Sequence, residues 1–157
     1  MRATVDLYNI LKFLHILAAV VWVGGDILLQ ILAQLALRST LPGRVAEFAA
    51  EVEMVGKRLF TPMSILVLVL GIGLVQLGDW GFGQAWVIIG LVGIAATIAT
   101  GAGYLGRQAG KLTELIEAEG ADAPAVRTKV RTILNVARID ILVLVAVIFV
   151  MVTKIGQ

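Results

Sequence analysis

Four long apolar stretches separate the polar positions of this chain. They run over about residues 7–37, 61–77, 85–105 and 139–155. A helix needs about 20 residues to cross the hydrocarbon core of a bilayer, so each stretch reads as one crossing. The first is longer than a crossing requires and is expected to tilt or protrude. After it the pattern becomes amphipathic. Val45, Phe48, Val52 and Val55 recur at helical spacing, with Glu47 and Glu51 on another face. Ser39-Thr40-Leu41-Pro42-Gly43, just ahead, offers capping hydroxyls and a helix-start proline. Pro62 interrupts the pattern, so a kink is expected where the second span begins. Beyond the third span, the segment from Lys111 to Glu117 carries the helix into water. The chain then turns through Gly120-Ala121-Asp122-Ala123-Pro124, with Asp122 the expected N-cap of the last helix. The pattern predicts an all-α fold: one transmembrane domain over residues 1–157, built as an antiparallel four-helix bundle.

Composition agrees. Hydrophobic residues make up 59% of the chain, not counting 17 glycines. Charged residues are 15%, against about 25% in an ordinary soluble domain. A monomer of this size has too little interior to bury that much apolar surface, which argues against a soluble globular fold and against disorder. With no cysteine, disulfides, thiolate zinc sites, iron–sulfur clusters and cysteine nucleophiles are excluded, and a single histidine excludes multi-histidine zinc sites.

Charge then sets topology. Arg38, Arg44, Lys57 and Arg58 occupy the first connection, and Arg107, Lys111, Arg127, Lys129, Arg131 and Arg138 the third, whereas Gly78–Gln84 has no basic residue. By the positive-inside rule both termini and the glycine-rich turn are non-cytoplasmic, with Trp80, Phe82 and Trp86 as interfacial anchors. The location this implies is a membrane crossed several times, with lipid as the principal partner. A cleaved signal peptide is not expected, because the first stretch is too long and lacks a cleavage site. The basic residues are this topology signal and do not indicate nucleic acid.

Polar residues inside the first span carry the candidate chemistry. At 100° per residue, Tyr8, Lys12, His15, Trp22, Asp26 and Gln30 fall within an arc of about 80°. Such a face is costly against lipid and must point into the bundle or toward a partner. His15 lies in the outer half and Asp26 near the midplane, about 16 Å along the axis, too far for a direct hydrogen bond within the helix. His15 has three readings: a structural hydrogen-bonding residue, an axial ligand to haem b or another porphyrin, and a proton-relay or metal site. A lone histidine serves a bare transition metal poorly. Haem needs only one or two axial ligands from protein. Met151, at similar depth on the fourth span, is the candidate second ligand, with core packing as its alternative. Lys12 and Lys154 lie near the outer rim, where they either meet porphyrin propionates or snorkel to the interface. Asp26 must be paired, hydrated or protonated. Either Gln30, Gln34 or another helix satisfies it, or it lines a proton or ion path. Asp140 reads as a boundary ion pair with Arg138. The third span is crowded with small residues, including Gly90 and Gly93, which allow close helix approach, as do Gly71 and Gly73 in the second.

Leu14-His15 followed by Val20-Val21-Trp22-Val23-Gly24-Gly25 resembles the first-helix signature of a group of bacterial membrane proteins. The group comprises uncharacterised predicted integral membrane proteins, the membrane domain of copper-resistance D proteins and the membrane protoporphyrinogen oxidase of the haem pathway. Met54-Val55-Gly56-Lys57-Arg58-Leu59-Phe60-Thr61-Pro62-Met63, then Gly71, is similar to the run that opens the oxidase's second helix. The resemblance covers about the first 75 residues. It implies a four-helix bundle in a bacterial cytoplasmic (inner) membrane, in which His15 takes the place of a haem-linked histidine. Trp86 is followed by Val87-Ile88-Ile89-Gly90, without the basic residue and later histidine of the oxidase, so the chain looks closest to the uncharacterised branch.

Three functions follow as expectations. One is a haem- or porphyrin-binding protein with a redox or porphyrin-handling role, using His15, Met151, Lys12 and Trp22. Another is an ion, proton or copper transport-related protein using Asp26 and Gln30. The third is a non-catalytic membrane subunit or assembly factor, packed against a partner membrane protein or its own copy. No nucleotide loop, Ser-His-Asp arrangement or hydrolytic carboxylate pair is visible.

Overall fold

A computed structural model describes residues 6–156. Four helices, α1 (Leu7–Arg38), α2 (Arg44–Leu77), α3 (Ala85–Glu119) and α4 (Pro124–Thr153), are each long and apolar enough to cross a membrane. They run up and down in a ring. α1 packs chiefly on the membrane half of α2, α3 on α4, and α4 closes back on α1. The glycine-rich turn lies at one end of the bundle and the two basic connections at the other. These are called below the turn end and the basic end.

Large apolar side chains face outward along all four helices. Val152 on α4 is 77% exposed, and Leu142, Phe13 and Val92 are more than 60% exposed. No water-soluble chain of this size leaves so much apolar surface uncovered. Lipid covers it here, and van der Waals packing replaces the hydrophobic drive between helices. Three buried clusters stack along the bundle. Ala18, Trp22, Val67, Ile94 and Leu144 form the middle one, and Val75, Trp86 and Val87 the one at the turn end. The third, at the basic end, joins Ala33 and Ala36 to Val45, Phe48, Leu112, Val126, Val130 and Leu134. It lies mostly in helix extensions beyond the apolar spans. The amphipathic face expected over residues 45–55 supplies its Val45 and Phe48, while Glu47 and Glu51 stay exposed and share Arg44 at 3.5 Å.

The connections differ from expectation in two ways. Pro62 does not interrupt the helix. A widened π-type turn over Gly56–Phe60, a usual seat of a helix kink, carries α2 into its span without a break in the helix. Proline has no amide hydrogen for the regular ladder, and the turn shifts the pairing just before it. The Thr61 N–H and hydroxyl both donate to the Gly56 carbonyl, the hydroxyl at 3.0 Å. A second such turn, Ala99–Leu105, interrupts α3 at Gly101 and Gly103. These two glycines therefore soften the helix and do not pack against a neighbour.

Asp122, in turn, does not cap its own helix. α4 begins at Ala123 without a side-chain cap, while both carboxylate oxygens of Asp122 accept the Gly43 N–H, at 3.1 and 3.3 Å. Gly43 starts α2 at φ +76°, where a β-carbon is strained. Asp122 thereby ties the first basic connection to the second. Asp122→Ala is expected to lower stability by about 1 kcal/mol. Thermal unfolding in detergent reads this as a modest fall in midpoint, with Asp122→Asn retaining part of the bond.

Candidate functional site

The half of the bundle toward the turn end holds a cavity of about 720 Å³, open on one side and within the range of small-molecule sites. All four helices line it. α1 contributes Tyr8, Lys12, His15 and Trp22, and α2 contributes Gly71. α3 contributes Trp86 and Gly90, and α4 contributes Met151 and Lys154. The wall is mostly apolar, with polar groups near the rim, as expected of a site that holds an apolar body by a few fixed donors.

The wall follows from local sequence. The imidazole of His15 rests against Gly71, where a β-carbon would come within 3.1 Å of Cε1. Any larger residue at 71 would push the ring aside. Nδ1 of His15 is buried, and among the described residues it is the one buried side-chain nitrogen or oxygen without a hydrogen-bond partner. The Val67 backbone nonetheless lies within hydrogen-bonding reach of the ring, so the structural hydrogen-bonding reading of His15 stands beside the ligand reading. Met151 fills the space left by the missing side chain of Gly90, its methyl lying where a β-carbon would stand. Val147 takes the same place at Gly93. The glycines expected to allow close α3–α4 approach do so at these two positions.

The aromatic residues near the turn divide. Phe82 is exposed, as an interfacial anchor should be, but Trp80 and Trp86 are not a boundary belt. Trp86 is buried, and its Nε1–H donates to Gln84 Oε1 at 2.5 Å. Trp80 meets it edge to face, with ring centroids 5.7 Å apart at 82°. The Lys154 ammonium sits 3.7 Å above the Trp80 ring and 5.7 Å from that of Trp86. Lys154 is therefore held over the rim by the ring faces and does not reach away from the bundle.

Asp26 and Gln30 lie outside this cavity, toward the basic end. Gln30 joins α1 to α4: its Nε2 donates to the Leu134 carbonyl at 3.2 Å, and its Oε1 accepts from Arg138 Nε at 3.2 Å. Arg138 also donates to Asn135 Oδ1 at 3.1 Å. The ion pair expected between Arg138 and Asp140 is therefore absent among the described residues, because the guanidinium is turned toward α1 while Asp140 is buried at 9% exposure. Asp26 is half-buried, and among the described residues it forms neither a hydrogen bond nor a salt bridge. Its carboxyl lies within electrostatic reach of Asp140 across the α1–α4 contact. Among the described residues no three His, Cys, Asp or Glu side chains are placed to hold a metal ion together.

The stripe on α1 thus splits. Lys12, His15 and Trp22 meet Met151 in one cavity, and Asp26 with Gln30 belongs to a second polar layer beneath it. Sequence reasoning did not assign Trp80 or Trp86 to the cavity wall; the one signal was the tryptophan spacing across the turn.

No curated protein and no solved structure matches the chain. Kinship to copper-resistance D proteins or to the protoporphyrinogen oxidase therefore rests on short motifs alone. A family match spans nearly the whole sequence, residues 9–155, and its description fits four apolar helices with lipid-facing surfaces: the chain belongs to the family of predicted integral membrane proteins DUF2269.

Proposed function

We propose that the cavity toward the turn end binds a porphyrin, haem b in its iron form, with the His15 imidazole as axial donor. The observation that carries this reading is the His15 side chain on the wall of a mostly apolar cavity of about 720 Å³, with its buried Nδ1 outside any regular side-chain hydrogen bond among the described residues. A buried nitrogen left unpaired costs about 1–3 kcal/mol, which ligand binding to the ring can offset. Gly71 and Gly90 seat the two candidate donors, the His15 ring lying against the first and the Met151 methyl against the second. Met151, on the adjacent helix α4, lines the same cavity as a second soft donor. Lys12 and Lys154 at the rim suit the two propionates. Trp22 and Trp86 close the wall against water. Haem, when bound, would supply one-electron chemistry. The protein's part is to orient the ring and keep it dry. The reading is tested by adding haem to protein purified in mild detergent and recording the absorbance spectrum. A shifted, saturable Soret band at one haem per chain is expected. A spectrum matching haem in empty micelles counts against it.

A second reading has its own observation. Asp26 and Asp140 are carboxyls within the apolar spans, and neither has a cationic partner among the described residues. Such groups suit the movement of protons or cations, copper included, through the layer that Gln30 braces. Under this reading Asp26→Asn lowers liposomal proton or copper flux at least about 10-fold. Equal flux in the variant and the parent protein would remove it.

A further inference from the structure

At the basic end a second cleft, of about 290 Å³, opens between the C-terminal turn of α1 and the third turn of α4. Its lining is polar: Gln34 and Arg38 come from α1, and Arg131, Asn135 and Arg138 from α4. No carboxylate lines it. Arg38 and Arg131 are exposed, and among the described residues neither forms an ion pair or a side-chain hydrogen bond. The walls are fixed. Arg138 is held by Gln30 and Asn135, and Arg127 donates to the Leu37 carbonyl at 2.9 Å, pinning the end of α1 to α4. Three arginines thus line one braced cleft without an acidic counterpart in its lining. The cleft also sits where the apolar span of α1 ends and that of α4 begins. Above it, Ile31, Leu35, Ile139 and Leu142 are exposed apolar side chains on the same two helices.

We propose that this cleft binds the phosphodiester headgroup of an anionic phospholipid. Arginine's planar fork matches phosphate oxygens two at a time, which a lysine ammonium does not. A basic pocket between transmembrane helices, placed at headgroup depth, is the form such recognition takes. The acyl chains of the same lipid would lie along the exposed leucines and isoleucines of α1 and α4. This depth and this apolar continuation favour a lipid over free phosphate, which needs only the arginines. The site is separate from the porphyrin cavity, and its occupancy does not depend on that reading.

The test uses full-length protein in nanodiscs or neutral detergent, with phosphatidylglycerol as the probe and phosphatidylcholine as the uncharged comparison. Native mass spectrometry counts the lipids retained. Retention of one phosphatidylglycerol in clear preference to phosphatidylcholine is expected. Each arginine near a phosphate contributes about a fivefold factor, so the Arg38→Gln, Arg131→Gln double variant should bind it about 30-fold more weakly. Neither side chain braces the fold, so the thermal midpoint without anionic lipid should be unchanged; Arg138 is left in place because Gln30 depends on it. Equal retention of the two lipids, or undiminished retention in the double variant, overturns the proposal. Displacement of the lipid by inorganic phosphate at millimolar concentration overturns it too, since the cleft would then serve a soluble anion.

Discussion

Replacing Gly93 with valine is expected to destabilise the bundle by at least about 3 kcal/mol, a large fraction of a total stability of about 5–15 kcal/mol. A β-carbon at Gly93 would fall onto Cγ2 of Val147. Valine is stiff about its first side-chain torsion, so Val147 cannot swing clear and the α3 and α4 backbones must separate. In lipid that separation is severe, because close packing is most of what holds two apolar helices together. Gly93→Ala should show the same direction at about 1–3 kcal/mol. Gly90→Ala should cost less, since the obstructing atom there is the mobile methyl of Met151. Gly24 provides the comparison. Nothing lies within 4 Å of a β-carbon there, and Gly24→Ala should be neutral or stabilise by about 0.5–1 kcal/mol through helix propensity. Thermal unfolding followed by tryptophan fluorescence ranks the four variants. A Gly93→Val protein that melts with the parent would show that α3 and α4 are not packed in this register.

The second large effect concerns the ligand. His15→Ala should weaken haem binding more than about 100-fold, since altering even an outer partner of a metal ligand costs about 10–100-fold. The Soret titration reads the loss directly. A thermal midpoint near that of the parent protein separates a lost ligand from a lost fold. Met151→Leu keeps the volume and removes the sulfur. It should leave haem bound while altering the band position if the thioether completes the axial pair. Retention of the parent spectrum by His15→Ala would remove the axial role.

The four apolar helices, their antiparallel order and the inward turn of His15 and Trp22 were legible because lipid imposes one rule on every outward position. A polar stripe within an apolar helix has nowhere else to face. Shared membership of one cavity by His15 and Met151 is consistent with the depth expected from the rise per residue. Partner choice was not legible. Arg138 lies two residues from Asp140 and four from Leu134, and sequence distance favoured the carboxylate. The bundle rotated the guanidinium toward Gln30 of α1, a contact 108 residues away in sequence. Asp122 likewise looked local and proved to serve Gly43, which only the meeting of two connections could reveal. The tryptophans misled for a related reason. Turn-flanking aromatics resemble a boundary belt until the fold shows that Trp80 and Trp86 stack on each other beneath Lys154.

The cluster of Val45, Phe48, Leu112, Val126 and Val130 gives the molecule two thermodynamic regimes. Those side chains leave water on folding, so their burial carries the heat-capacity change of a soluble protein and weakens in urea and in the cold. The helices between the headgroups leave only acyl chains, and their association lacks that signature. Warming or denaturant should therefore loosen the two ends of the same helices by different laws, with the segments nearest Pro42 and Pro124 responding as a small soluble domain would.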